Sequence, residues 1–133
     1  MHPVEWAIGE AAGILGAFAA RQGVTPKQVY QQPDRRTTYQ YRLLARGVPI
    51  FWWSDVQFED DPKTFAAAHL CAVNGVFSGG DPNFAFKPDL PATATTRKAI
   101  DDNIGRELRW PDMAMTRAEA AVFVCQQMGW PID

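Results

Sequence analysis

Helix starts and stops punctuate this chain at close intervals. Thr25-Pro26, Asp61-Pro62 and the Thr116–Glu119 pair are starts, and Gly23, Gly47, Gly75 and Gly129 are stops. A threonine or aspartate side chain accepts from the free N–H groups of a first turn, and proline there has no N–H to satisfy. Glycine adopts the left-handed conformation that closes a last turn. Between these marks apolar residues recur at three and four, and no stretch alternates long enough to build a sheet. The expected fold class is mainly α: a small helical domain of about five helices with irregular loops, ending in a helix-loop-helix.

The marks place the helices. The first runs from about Val4 to Gln22. A short one starts at Thr25-Pro26 and is interrupted by Pro33. Asp34 is read as the cap of the next, which continues through Arg46. Asp61-Pro62 opens a helix closed by Gly75, Thr95 or Thr96 opens one through Leu108, and Thr116 and Glu119 form a capping box for the last. VPIFWWSDV, residues 48–56, is aromatic and β-branched, but Pro49 argues against a central strand. Phe51-Trp52-Trp53 reads as a hydrophobic seam.

The first helix raises a question. GEAAGILGAFAARQG, residues 9–23, spaces Gly9, Gly13, Gly16, Ala17 and Ala20 by three and four, which puts them on one face. A glycine inside a helix costs about 1 kcal/mol relative to alanine. Three such costs imply that something approaches this helix more closely than side chains allow.

Charge and composition narrow the candidates. Of the 133 residues, 47% are hydrophobic, enough for one domain with a core or two small helical modules. Residues 1–50 hold six Lys or Arg against three Asp or Glu, and residues 51–133 hold seven against twelve. Neither half has a basic stripe, so no nucleic-acid partner is expected. AAGILGAFAA has the length of a signal-peptide core, but Glu5 and Glu10 stand where basic residues belong, and the run is too short to span a bilayer. Cys71 and Cys125 lie in apolar helical stretches and read as buried thiols, with a disulfide left open. His2 and His69 lack a zinc-spaced cluster, and Ser54 and Ser78 lack the Gly-x-Ser-x-Gly context. No metal site is expected. FEDDPKTF, residues 58–65, is read as a helix cap.

Residues 2–50 resemble the end of the FAD-binding domain in a family of bacterial FAD-dependent oxidoreductases. Gly9-Glu10-Ala11-Ala12-Gly13 and Gly23-Val24-Thr25-Pro26 carry the resemblance. It implies a helix directed at the flavin ring, with Gly9 and Glu10 nearest the cofactor and Gly13 and Gly16 at close-packing positions. The implied cofactor is FAD. The Gly-x-Gly-x-x-Gly turn that binds the dinucleotide is missing, so this chain is expected to be a noncatalytic piece of such an enzyme.

Residues 51 to about 130 resemble an S-layer homology (SLH) module. Trp53-Ser54-Asp55-Val56, Asn74-Gly75-Val76 with Gly79, Phe86-Lys87-Pro88 and Thr116-Arg117-Ala118-Glu119 carry the pattern. TTRKAIDDNIGREL is an extra segment in which Thr96-Arg97-Lys98 reads as a degenerate copy of the Thr-Arg start. The resemblance implies a cell-envelope or periplasmic parent and names Arg117 as a possible contact to anionic cell-wall glycan.

The expectation is therefore a C-terminal fragment of an FAD-dependent oxidoreductase, residues 1–50 ending its FAD-binding domain and residues 51–133 forming an SLH-like module. Its partner is the remainder of the flavoenzyme or a second copy. In the isolated chain the small-residue face is expected to self-associate or to pack on the aromatic seam. The alternatives are an envelope-glycan-binding module and a helical interaction domain without ligand.

Overall fold

The structure is a computed structural model describing residues 3–77 and 83–132. His2, Ser78 and Gly79 lie outside the described residues. Six helices follow in order: α1 (Pro3–Gln22), α2 (Pro26–Gln31), α3 (Pro33–Leu44), α4 (Pro62–Val73), α5 (Ala94–Ile104) and α6 (Arg117–Met128). Among the described residues there is no strand, only one isolated antiparallel bridge between Pro91 and Thr116. The fold is mainly α, as the punctuation requires.

Most of the marks act where the sequence puts them. Thr25 and Thr116 each form a complete capping box, with Gln28 and Glu119 respectively. Asp61 Oδ1 accepts from the N–H groups of Lys63 and Thr64 at 3.0 and 3.1 Å. Gly23, Gly75 and Gly129 hold φ of +62°, +74° and +66° just past α1, α4 and α6.

Four boundaries differ from expectation, one of them the end of α3, which stops at Leu44 and not at Arg46. Asp34 caps nothing; the N-cap of α3 is Gln32, with no side-chain bond, because Pro33 takes the first helical position. The cap of α5 is Thr93, which accepts from Thr96 N–H, so Thr95 and Thr96 lie inside the helix. That helix stops at Gly105 (φ +71°), short of Leu108. Arg97 consequently sits a full turn inside α5 whereas Arg117 is the first residue of α6, so the two Thr-Arg pairs are not structural copies.

The principal helix pair is α4 with α6. Ala66, Ala67, Ala68 and Ala72 of α4 and Ala120 and Ala121 of α6 are buried, and such small side chains let two backbones approach. Around this pair one continuous core gathers Leu44, Trp53, Leu70, Phe77, Phe86 and Ile100. A second, smaller cluster of Phe18, Ala19 and Val29 joins α1 to α2 and α3, with Leu15, Val24 and Tyr39 against it. Helix α3 serves both clusters, because Tyr39 faces the small one while Tyr41 and Leu44 belong to the large one.

Candidate functional site

Helix α1 is anchored at one end only. In its C-terminal half Phe18 and Ala19 are buried, and in the middle the Tyr39 hydroxyl donates to the Ala11 carbonyl at 2.9 Å. Its N-terminal half projects, with Trp6 and Ile8 each about two-thirds exposed. A methyl group built on Gly9, Gly13 or Gly16 would meet no atom within 4 Å. The glycines that suggested close approach are therefore open to solvent in this chain. The expectation that this face packs on the Phe51–Trp53 seam is overturned. Trp53 turns inward instead, its indole N–H donating to the Ala68 carbonyl at 3.2 Å, and Phe51 packs on it. Trp52 leaves the seam altogether and is 73% exposed.

The residues singled out for a flavin do not share one recess. Gly9 and Glu10 border a shallow depression with Glu5 and Trp6. Gly13 borders a separate cleft between α1 and α3. A flat group could lie on the Gly9 backbone beside the Trp6 indole. That surface offers two carboxylates and no cation, so it fits one face of a ring system and not a pyrophosphate.

Trp53, Asp55, Phe86, Lys87 and Arg117 of the SLH-like pattern do converge, though they come from three parts of the chain. Phe86 is fully buried between Trp53 and Phe77, with ring centroids 5.3 and 5.1 Å away. The Asp55 carboxylate accepts from the N–H groups of Phe86 and Lys87, both at 2.7 Å. Lys87 holds a positive φ of 57°, a left-handed conformation that two charge-assisted bonds next to it help to fix. Arg117 closes the cluster. Its Nε donates to the Phe86 carbonyl at 2.7 Å, and its guanidinium lies 5.1 Å from the Phe77 ring and 5.2 Å from the Phe86 ring. Burial draws the Arg117 pKa below its ordinary value, and the Asp55 charge opposes that shift.

The start of α6 is already occupied by protein groups. The N–H of Arg117 donates to the Leu90 carbonyl at 2.8 Å and that of Ala118 to the Pro88 carbonyl at 3.0 Å. The Glu119 N–H is taken by the Thr116 hydroxyl. These bonds use the donors that a helix N-terminus would otherwise offer to an anion. What remains open is a recess of about 290 Å³ beside Arg117, bordered by Thr93, Thr95, Thr96 and Asn103. Arg97 is likewise committed to the fold. Its guanidinium donates to the carbonyls of Ala92, Pro111 and Met113 and lies 5.6 Å from the Trp110 ring.

Two groups that the sequence left as packing residues carry unexpected detail. His69 is completely buried, and its Nδ1 accepts the Phe51 N–H at 3.0 Å. Nδ1 is then unprotonated, so the proton sits on Nε2, which has no hydrogen-bond partner. Burial pushes the His69 pKa down to about 4. Cys71 and Cys125 are free and buried, and the Cys71 thiol pKa is raised, chiefly by burial. Among the described residues no three His, Cys, Asp or Glu side chains cluster as a metal site, and no helix is long and apolar enough to cross a membrane.

Compared with protein-family models, curated proteins and solved structures, the chain matches none.

Proposed function

We propose that this chain is the C-terminal region of an FAD-dependent oxidoreductase, in which α1 walls one side of the flavin site and residues 51–133 form an SLH-like structural module. One observation carries the reading: a projecting helix has three glycines with open space above them and an exposed tryptophan beside them. None of the described residues lies close enough to those glycines to offset their helical cost. In this reading the offset comes from close approach of the flavin ring and of the dinucleotide-binding part of the enzyme. FAD, when bound, supplies two-electron redox chemistry, and Gly9 and Glu10 border one face of its ring. The converging Trp53, Asp55, Phe86 and Arg117 support the SLH-like reading of the second half, with Arg117 serving the fold.

The test is to recover the protein from its source cells with an antibody to α6, then measure its mass and visible absorbance. The expected result is a polypeptide several times heavier than 14.8 kDa carrying a flavin spectrum. A flavin-free 14.8 kDa species rules the reading out.

A second reading has its own observation, the hydroxyl-lined recess beside Arg117. There the module would hold an anionic cell-wall glycan. Retention on purified sacculi that is lost on Thr95→Val, an exposed position, supports it. Retention that is absent, or unchanged in that variant, excludes it.

A further inference from the structure

The cleft between α1 and α3 combines an arginine rim and an apolar wall that the flavin reading does not use with Gly13, which that reading also uses. Its volume is about 320 Å³, and its rim carries Arg21 from the last turn of α1, Arg42 from the last turn of α3 and Arg46 just beyond that helix. Its apolar wall is Ile14 and Phe18, and Gly13 leaves it open at one side. The Arg42 guanidinium lies 5.3 Å from the Phe18 ring, so a cation is held directly over the apolar wall. No carboxylate of the described residues bridges to any of the three arginines. Three like charges around one opening repel one another, and an anion between them removes that cost. Cations also favour the ends of helices, which accounts for one arginine per terminus but not for an open cleft shared by all three.

We propose that this cleft binds a small phosphomonoester carrying an apolar group. The phosphate is favoured over a carboxylate by charge, because it brings about −1.5 to −2 at neutral pH against three guanidiniums. Guanidinium also matches phosphate oxygens with paired donors. The apolar group would lie on Ile14 and Ala17, beside the edge of the buried Phe18, entering over Gly13, where a side chain would block it. The volume is at the lower end of ordinary small-molecule sites, which limits the ligand to a short chain or a single ring. The proposal shares Gly13 with the flavin reading but takes its charge and apolar contacts from the C-terminal half of α1 and from the end of α3, and it needs no other polypeptide.

Calorimetric titration of the 133-residue chain with phenyl phosphate, inorganic phosphate and phenol tests it. Phenyl phosphate is expected to saturate one site and to bind roughly tenfold more tightly than inorganic phosphate, since its ring buries apolar surface. Phenol is expected not to bind. Arg21→Gln and Arg46→Gln should each weaken phenyl phosphate by roughly tenfold, the scale of one charge-assisted hydrogen bond. Gly13→Leu should abolish binding while leaving the circular dichroism spectrum intact, because the added side chain enters open space. Co-sedimentation with vesicles of neutral lipid containing phosphatidic acid separates the two sources of such a group. Pelleting lost on Gly13→Leu assigns a lipid headgroup, and no pelleting alongside saturable phenyl phosphate assigns a soluble ligand. Absence of saturable binding, or binding equal in wild type and folded Gly13→Leu, overturns the proposal and leaves the arginines as helix-end charges.

Discussion

The sulfur atoms of Cys71 and Cys125 lie 3.8 Å apart at the centre of the α4–α6 contact, although 54 residues separate them in sequence. Neither is reachable by solvent, and each also lies near a carbonyl of the opposite helix, Ala121 at 3.7 Å and Ala67 at 3.9 Å. Reactivity requires a thiolate and access; burial denies access to both sulfurs and raises the Cys71 pKa. In the native protein both thiols should therefore resist iodoacetamide. Alkylation along a urea titration should follow the loss of helical signal, with both cysteines modified together. Rapid modification of either one in the absence of urea would show that the α4–α6 interface opens locally.

His69 makes stability depend on pH. It is neutral in the folded protein, where its pKa is about 4, and ordinary at 6.5 once unfolded. Between those values the unfolded chain binds a proton that the folded chain does not. The contribution is therefore fully present above pH 6.5 and is lost as pH falls toward 4, to a limit of roughly 3 kcal/mol. Denaturant melts at pH 7.5 and pH 5 should show the loss, and His69→Gln should flatten that part of the profile. An equal slope in wild type and variant would place the acid sensitivity on other groups.

Arg117 is expected to act as a strut. Arg117→Ala removes the charge-assisted bond to the Phe86 carbonyl and the stacking on Phe77 and Phe86, and should cost about 2–3 kcal/mol. Arg117→Lys should recover less than half of that, because an ammonium lacks the planar guanidinium that places Nε on the Phe86 carbonyl while its carbon lies near both rings. Urea unfolding of the three proteins measures both values. A change below about 0.5 kcal/mol, the scale of an ordinary surface substitution, would mean that Arg117 does not hold the cluster together.

The α1 glycines give the opposite sign. Alanine at positions 9, 13 and 16 meets nothing within 4 Å and improves helix propensity. The triple variant of this chain should gain about 2 kcal/mol. Thermal melts measure the gain. A loss would show that the glycines pack against something in solution, such as a second copy. In the proposed flavoenzyme the same substitutions should instead weaken flavin retention, because they thicken the face that approaches the ring.

Asp55 supports two N–H groups of a turn in which Phe84 and Lys87 both hold positive φ. Asp55→Ala leaves the part-buried Phe86 N–H without its acceptor and should cost about 2–3 kcal/mol. Asp55→Asn should recover part of it, since its one carbonyl oxygen can still accept. Equal stability of the two variants would assign the effect to packing instead of hydrogen bonding.

Local chemistry made the helices readable in advance. Thr25, Asp61 and Thr116 cap because their side chains accept from N–H groups two or three residues away, and Gly23, Gly75 and Gly129 stop helices through their own backbone freedom. Where a competing cap lay nearby, local signals misplaced the edge, as with Thr93 ahead of Thr95 and Thr96, or Gln32 ahead of Asp34. The flavin and SLH resemblances named Gly9, Glu10, Gly13 and Arg117 by pattern alone. The sequence therefore determined the helical class, most helix ends and the candidate residues, because each depends on neighbours a turn away.

Tertiary structure decided which small residues are used. Two helices are rich in small residues, yet α4 buries its alanines against α6 while α1 leaves its glycines open. Both satisfy the same local rules, and the difference lies in which helix finds a complementary face across 50 or more residues of chain. The same long-range packing brought Cys71 to Cys125, His69 to the Phe51 N–H, and Arg21 to Arg42 and Arg46. Spacing along the chain carries no record of those meetings, since packing of side chains distant in sequence sets them.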